Sequence, residues 1–433
     1  MQAVIMAGGK GTRLAAITKD EIPKPMVPIF EKPLLLWQVE QLMNNGINDI
    51  IMIIGHLGYK IKEYFQDGSK YGVHIRYIEE KEPLGTAGAF YYLKDLLNEE
   101  YFLLVFGDVF FNIDLNRMEN YHKKKNAVAT LFVHPNSHPF DSDLVTMDGE
   151  DKIKHFDSKN NVRDYWYDNC VNAGFYLLGK EVCDMVPEPK KTDLEKDILM
   201  KWVEEDKLVY AYRSPEYIKD VGTVERIHQT MEDIENGFIE DKCLKNKQKC
   251  IFLDRDGTIN VHNGLVYTEE DFILESCTEK AIRMINTSGR LGIVVTNQPV
   301  VARGLCGIED VENIHKKMAT LLGKEGVYLD DVIYCPHHPD KGYPEENPAY
   351  KISCDCRKPK TGMIDECVRK YNIDLAQSWM VGDTTLDIQT GKNAGLKTAL
   401  VLTGEAGKDK KYDAQPDLIC NNLLEAVEKI LEG

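Results

Sequence analysis

The 433-residue chain carries 53 Lys and Arg against 70 Asp and Glu, a formal charge of −17, which excludes nucleic acid and anionic membrane as general partners because both require a positive face. Length predicts two or three domains, and no apolar run approaches the roughly 20 residues that span a bilayer. Met1 to Gly9 lacks an export signal's basic flank, and eleven scattered cysteines fit a reducing compartment, so a cytoplasmic protein is expected. Phosphorylated small molecules stay compatible with the negative charge, because amides, lysines and metal ions bind them locally.

Ala3-Val4-Ile5-Met6 reads as a buried strand running into Ala7-Gly8-Gly9-Lys10-Gly11-Thr12-Arg13-Leu14. Three glycines in four positions let backbone amides approach a phosphate, and Lys10 and Arg13 add positive charge. Pro23-Lys24-Pro25 then holds a lysine in a stiff extended segment, ahead of a helical pattern from Leu34 to Asn45.

These stretches resemble the sugar-1-phosphate nucleotidyltransferases, whose opening signature is AGGxGTRL followed by a PKP segment. The resemblance continues through Glu82-Pro83-Leu84-Gly85-Thr86-Ala87-Gly88-Ala89, Leu103 to Asp108, Val171-Asn172-Ala173-Gly174-Phe175 and Asp220-Val221-Gly222-Thr223. It implies a Rossmann-like, glycosyltransferase-A-like α/β sheet over residues 1–240. It also implies Mg²⁺ at Asp108 and Asp220, with Lys24 and Arg13 as catalytic groups around the phosphates. Gly8, Gly9, Gly11 and Thr12 would cradle the nucleotide, Glu82, Gly85 and Thr86 would meet base and ribose, and Asn172 and Gly174 would lie near the sugar. Lys159 stands as the second phosphate-binding lysine. In this chemistry a sugar phosphate attacks the α-phosphorus of an NTP and pyrophosphate leaves, so the protein aligns anions and neutralises charge. The chain departs from the family at Ala15-Ala16-Ile17 and around Phe156-Asp157-Ser158-Lys159. Its EPLGTAGA and PKPM forms are similar to the mannose-like and heptose 1-phosphate guanylyltransferases, which makes GTP the expected nucleotide.

Val224, Ile227, Met231 and Ile234 predict a helix closing this domain. The polar stretch 241–249 is the expected linker, and a second α/β domain is expected over 250–433.

Cys250-Ile251-Phe252-Leu253 is an apolar strand ending in Asp254-Arg255-Asp256-Gly257-Thr258. This resembles motif one of the haloacid-dehalogenase-like phosphatases, a Rossmannoid fold, and implies Asp254 as nucleophile and Asp256 as general acid and base. The remaining motifs follow in order. Gly292 to Gln298 brings Thr296 and Asn297, Cys356-Arg357-Lys358-Pro359 brings Arg357 and Lys358, and Trp379 to Asp387 brings Asp383, with Asp387 in support. The resemblance implies Mg²⁺ held by Asp254, Asp256 and Asp383, and substrate contacts from Thr258, Thr296, Asn297, Arg357 and Lys358. A carboxylate nucleophile needs a cation against phosphate repulsion and a partner that protonates the leaving oxygen.

Cys335-Pro336-His337-His338 and Cys354-Asp355-Cys356 have the spacing of a closed Cys₃His zinc site, with His337 as ligand and His338 as the alternative. This pattern resembles the heptose-1,7-bisphosphate phosphatase and histidinol-phosphatase branch, whose zinc loop is structural. Pro299-Val300-Val301 and Thr384 depart from that branch.

The expected whole is a bifunctional enzyme of nucleotide-sugar synthesis. A phosphatase frees a sugar 1-phosphate from D-glycero-D-manno-heptose 1,7-bisphosphate, and a nucleotidyltransferase joins it to GTP, giving GDP-heptose. One alternative pairs another sugar or polyol phosphate (mannose, glucose) and GTP, CTP, UTP or dTTP with a phosphatase of different substrate. A catalytically degenerate nucleotide sensor is the alternative of another class. Oligomeric state is open.

Overall fold

The computed structural model describes residues 1–9, 18 and 21–433. They form two compact units. One comprises Met1–His134, Val145–Asp157 and Asn172–Cys243, and the other Pro135–Leu144, Ser158–Val171 and Leu244–Gly433. Among the described residues no helix is long and apolar enough to cross a membrane.

In the first unit, strand β1 (Gln2–Ala7) pairs in parallel with β2 (Asp49–Ile54), which pairs in parallel with β3 (His74–Glu79). On its other side β1 pairs in parallel with β4 (Tyr101–Phe106). Helices and loops cover both faces, so the strands read as continuous apolar runs instead of alternating ones: Ala3, Val4, Ile5 and Leu103 to Val105 are all fully buried. Each such valine, isoleucine or leucine contributes roughly 1.5–3 kcal/mol on leaving water. Because the chain departs from β1 in one direction and reaches β4 from the other, a crevice opens at the carboxyl ends of these two strands. Gly8 follows β1 there and Asp108 follows β4. A ribbon of β5 (Val109–Asn112) and β7 (Tyr217–Asp220) carries Asp220 to the same edge, Asp220 pairing with Val109. Between them in sequence, β6 (Val171–Gly179) runs antiparallel to β4. Helix α1 (Val224–Glu235) starts at Thr223, whose hydroxyl accepts from Arg226 N and caps it.

The second unit has a six-stranded parallel sheet. Its strands are β8 (Cys250–Leu253), β9 (Leu291–Asn297), β10 (Asp331–Cys335), β11 (Trp379–Gly382), β12 (Lys397–Val401) and β13 (Leu418–Cys420), in the spatial order β10-β9-β8-β11-β12-β13. The order reverses at β8, so the switch point falls where Asp254 leaves the sheet. Between β9 and β10 lies helix α2 (Ile308–Lys324), which buries Val311, Ile314, His315, Met318 and Leu322 at helical spacing. Helix α3 (Thr385–Ala394) is capped by Thr384 and Asp387 reciprocally. Segments 135–144 and 158–171 also belong to this unit. Tyr167 N donates to Thr320 Oγ1 at 2.9 Å, and Trp166 Nε1 donates to Glu269 Oε2 at 2.7 Å.

Candidate active sites

At the carboxyl edge of the first sheet, Lys24 is nine-tenths buried in a short helical turn after Pro23. Its ammonium contacts Asp108 Oδ2 and stands 3.9 Å from Asp220 Oδ1. The expected phosphate-binding Lys24 and the two expected Mg²⁺ ligands, Asp108 and Asp220, thus lie together. Asp220 Oδ1 is buried without a hydrogen-bond partner among the described residues, while Arg226 Nη1 lies 2.8 Å from Asp220 Oδ2. Two converging carboxylates, one with an orphaned oxygen, fit a divalent cation. Lys10, Gly11, Thr12 and Arg13 lie outside the described residues.

Backbone approach explains the glycines nearby. A side chain at Gly107 would come within 2.9 Å of Pro25, and one at Gly85, whose φ is +80°, within 2.5 Å of Thr192 O. Ala87 N donates to Thr192 O and Leu194 N donates to Thr86 Oγ1, which pin the loop that contains Gly85 and Thr86. Glu82 is exposed beside it. Asn172 donates through Nδ2 to Glu195 Oε1 at 2.8 Å and to Tyr176 Oη at 3.0 Å, and Gly174 N donates to its Oδ1 at 3.3 Å. Glu195, Tyr176 and Arg226 are site neighbours that no motif announces. Lys159 is exposed in segment 158–171 of the second unit, its amide donating to Asp143 Oδ1.

In the second unit, Asp254 leaves β8 and Asp383 leaves β11 on adjacent strands. Lys358 Nζ lies 2.9 Å from Asp254 Oδ1 and 2.5 Å from Asp387 Oδ1, with its side chain almost wholly buried. Burial disfavours the ammonium, but Asp254 and Asp387 outweigh it and hold the lysine charged. Burial, then the Asp387 charge, push Asp254 up to about 6. Burial, then Asp387 and Asp254, push Asp383 up to about 8. The oxygens of Asp254, Asp383 and Asp387 lie within 4.8 Å of one another, and Asp383 Oδ1 is buried without a partner. Crowded acids held against ionisation and an orphaned oxygen fit a divalent cation, which when bound supplies charge to the nucleophile and the phosphate. Gly257 and Gly404 both have positive φ, and a side chain on either would come within 2.3 Å or less of Asp383 Oδ2.

The Asp256 carboxylate points elsewhere. Arg255, Gln298 and Asn260 donate to it, and although burial opposes its charge, the Arg255 guanidinium and these bonds hold it below the usual carboxylate range. Its side chain is therefore outside the acidic cluster that Asp254, Asp383 and Asp387 form. Thr296 Oγ1 accepts from Gln298 Nε2, and Thr258 Oγ1 is buried without a described partner, available to a ligand. Asn297 binds the Lys358 backbone, and Arg357 Nη1 donates to His337 O at 3.0 Å.

The Cys₃His set also converges. Cys356 Sγ lies 3.2 Å from both Cys335 Sγ and Cys354 Sγ, and His337 Nδ1 lies 3.4 Å from Cys356 Sγ and 3.6 Å from Cys335 Sγ. These separations suit a tetrahedral ion with bonds of about 2.0–2.3 Å, and soft donors suit zinc. Burial and the adjacent thiols push Cys335 well up, a state that a bound cation relieves. His338 instead turns its Nδ1 to accept from Asp340 N.

Two family models match the chain. The nucleotidyl transferase family model matches residues 2–237, more than half of the chain, and a HAD-hydrolase-like model matches residues 355–426. The D-glycero-beta-D-manno-heptose-1,7-bisphosphate 7-phosphatase of Haemophilus ducreyi is 40% identical over 182 residues, covering 42% of this chain and 97% of that protein. The UTP–glucose-1-phosphate uridylyltransferase of Synechocystis is 31% identical over 247 residues, 54% of this chain, and the chain spans 63% of its length. The crystal structure of HddC from Yersinia pseudotuberculosis covers 54% of this chain and 99% of its own, with a TM-score of 0.47 and 25% identity. The chain belongs to the nucleotidyl transferase family, joins to it a phosphatase of the HAD-like hydrolases, and is a bifunctional enzyme with transferase and phosphatase activity.

Proposed function

We propose that the phosphatase removes the 7-phosphate of D-glycero-D-manno-heptose 1,7-bisphosphate and that the transferase joins the resulting heptose 1-phosphate to GTP. The observation that carries this is the 40% identity to a heptose-bisphosphate 7-phosphatase along nearly its whole length, fused to a transferase that consumes sugar 1-phosphates. One unit's product is then the other's substrate. The proposed division is residues 1–240 and 250–433 with 241–249 as linker.

In the first reaction an Asp254 oxygen attacks the 7-phosphorus, the bond from phosphorus to the sugar oxygen breaks, and Asp256, in the protonated form that Arg255 and its other donors disfavour, gives that oxygen its proton. Lys358 offsets charge on the phosphoryl group, and Thr258, Thr296 and Arg357 hold the substrate. Water then attacks the aspartyl phosphate, Asp256 takes the proton, and inorganic phosphate leaves. Asp254 and Asp383 would hold Mg²⁺, which would supply charge to the nucleophile and the phosphate, and Cys335, His337, Cys354 and Cys356 would hold Zn²⁺, beside which Arg357 and Lys358 are anchored. In the second reaction a 1-phosphate oxygen displaces pyrophosphate from the α-phosphorus of GTP, with Lys24 and Arg13 neutralising charge; Asp108 and Asp220 would hold Mg²⁺, which would add to that charge.

Guanine is supported by Glu80. It follows β3 at the carboxyl edge of the sheet, its Oε2 would stand 2.8 Å from a side chain at Gly8, and its Oε1 accepts from Leu84 N. Among the four bases only guanine presents two adjacent donors, N1–H and N2–H, to a carboxylate. Incubation with heptose 1,7-bisphosphate and equimolar GTP, ATP, CTP and UTP should give GDP-heptose by mass, and Glu80→Gln should reduce the preference for GTP. Phosphate release without any nucleotide sugar would refute the pairing.

A further inference from the structure

We infer that Glu195 is a positioning residue for sugar recognition in the transferase, turning the side-chain oxygen of Asn172 toward the sugar so that the site reads a hydroxyl that donates. The inference rests on Asn172 lying at the sugar, and strand register supports that placement. Strand β6 runs antiparallel to β4 with Phe175 opposite Val105, and continuing that register sets Asn172 level with Asp108. A side chain at Gly174, whose φ is +68°, would come within 3.1 Å of the Phe106 ring, so the strands stay close beyond their last pair. The attacking oxygen belongs to the 1-phosphate, so the sugar ring must lie within a few bonds of the reacting centre. A half-buried side chain level with Asp108 is placed to meet it.

Both N–H bonds of the Asn172 amide are taken. Nδ2 donates to Glu195 Oε1 at 2.8 Å and to Tyr176 Oη at 3.0 Å, and Tyr176 Oη donates to the same Glu195 oxygen at 2.8 Å. A carboxylate oxygen only accepts, so the end of the amide that faces Glu195 is the NH₂ and the other end is the carbonyl oxygen. Burial, then the Glu195 charge, push the buried Tyr176 phenol well up, which keeps its hydrogen in place for Glu195. Among the described residues Asn172 Oδ1 receives only Gly174 N, at 3.3 Å. Of its two lone pairs one therefore remains for a hydroxyl that donates.

Without the Glu195 carboxylate, only Tyr176 remains to tell the two ends of the amide apart. A hydroxyl cannot do so, because it donates to an oxygen as readily as it accepts from a nitrogen. The amide is then free to turn over, and the acceptor offered to the sugar is lost for part of the time. GTP makes its contacts elsewhere in the crevice, so the sugar should suffer selectively. This distinguishes positioning from a general loss of structure.

The test measures both KM values of the transferase reaction in the full chain with Mg²⁺, using whichever of heptose, mannose and glucose 1-phosphate the parent turns over fastest. Asn172→Ala should raise KM for the sugar phosphate about tenfold and leave KM for GTP within about twofold. Glu195→Ala should show the same split at smaller size, about three- to fivefold. Glu195→Gln, whose Oε1 can accept from both Asn172 Nδ2 and Tyr176 Oη, should restore most of the parent's sugar affinity. Should the alanine variant not fold, Tyr176→Phe, which removes one partner from the amide and one donor from Glu195, carries the same expectation. Fluorine in place of a ring hydroxyl cannot donate, so at one ring position it should raise the parent's KM and add nothing to that of Asn172→Ala. Equal rises in both KM values, or none, from the Glu195 and Tyr176 variants beside a selective rise in Asn172→Ala would overturn the inference alone, as would fluorine tolerated by the parent at every position. Absence of a selective rise in Asn172→Ala would overturn its placement at the sugar, and the inference with it.

Discussion

Asn297 clamps the backbone of Lys358: its Oδ1 accepts from Lys358 N at 3.0 Å, and its Nδ2 donates to Lys358 O at 3.3 Å. The lysine's ammonium reaches Asp254 and Asp387 from that anchored backbone, so the residue after Thr296 sets where positive charge meets the phosphate. Asn297→Ala should lower phosphatase kcat by about 10–100-fold, the size expected for a shift of about 1 Å in a catalytic group. Transferase activity on a supplied sugar 1-phosphate should be unchanged, as steady-state assays of both reactions in one preparation would show.

The Cys₃His cluster predicts about one equivalent of zinc in protein purified without chelator. Cys354→Ser should lose that zinc and most phosphatase activity, because Arg357 bonds to His337 O and directly precedes Lys358. Elemental analysis together with a phosphatase assay checks this. Full zinc in the serine variant would mean that the metal sits elsewhere.

His122, on the helix Leu115–Lys125, is buried beside Thr130 Oγ1 at 2.8 Å, and burial pushes it down to about 4. Its ordinary value of about 6.5 applies in the unfolded chain, so unfolding takes up a proton as pH falls. The stability tied to its neutral form is present above about pH 6.5 and lost as pH drops through about 4. At pH 5 the loss amounts to about 2 kcal/mol. Urea unfolding of His122→Leu should therefore show a flatter decline between pH 7.5 and 5 than the parent chain, whatever its absolute stability.

Arg226 competes with any cation for Asp220, at 2.8 Å and with both side chains about one-third exposed. Exposed pairs of this kind are worth about 0.2–1 kcal/mol. Arg226→Gln should accordingly shift the midpoint of Mg²⁺ activation of the transferase downward by about two- to fivefold. An upward shift would mean that Arg226 helps to bind substrate instead.

Much of both sites can be read from the sequence because each motif marks the end of a parallel strand, where topology gathers ligands. Leu253 and Asp254, or Phe106 and Asp108, are a buried apolar run followed by a carboxylate, a pattern that needs no tertiary knowledge. The Cys₃His set is legible for a related reason, since two short-range pairs need only one long-range encounter. What is not legible depends on encounters between positions without periodic or motif signal. Arg226 reaches Asp220 from the first turn of the helix that Thr223 caps, and Glu195 meets Asn172 from a segment with no glycine or proline to mark it. Segments 135–144 and 158–171 look like loops of the first domain, yet Tyr167 and Trp166 bond within the second unit, through side chains that no pattern distinguishes from surface aromatics. The side chain of Asp256 is instructive as well. The spacing of the two aspartates identifies the pair but not that Arg255 turns one of them away from the acidic cluster.

The most direct test of the account is nucleotide-sugar formation by Asp254→Asn, followed by mass spectrometry with GTP and Mg²⁺ present. Given heptose 1-phosphate, the variant should make GDP-heptose at the parent rate, and given heptose 1,7-bisphosphate it should make none, whereas the parent chain converts both. GDP-heptose from the bisphosphate in the variant, or failure of the parent chain to convert either sugar, would contradict it.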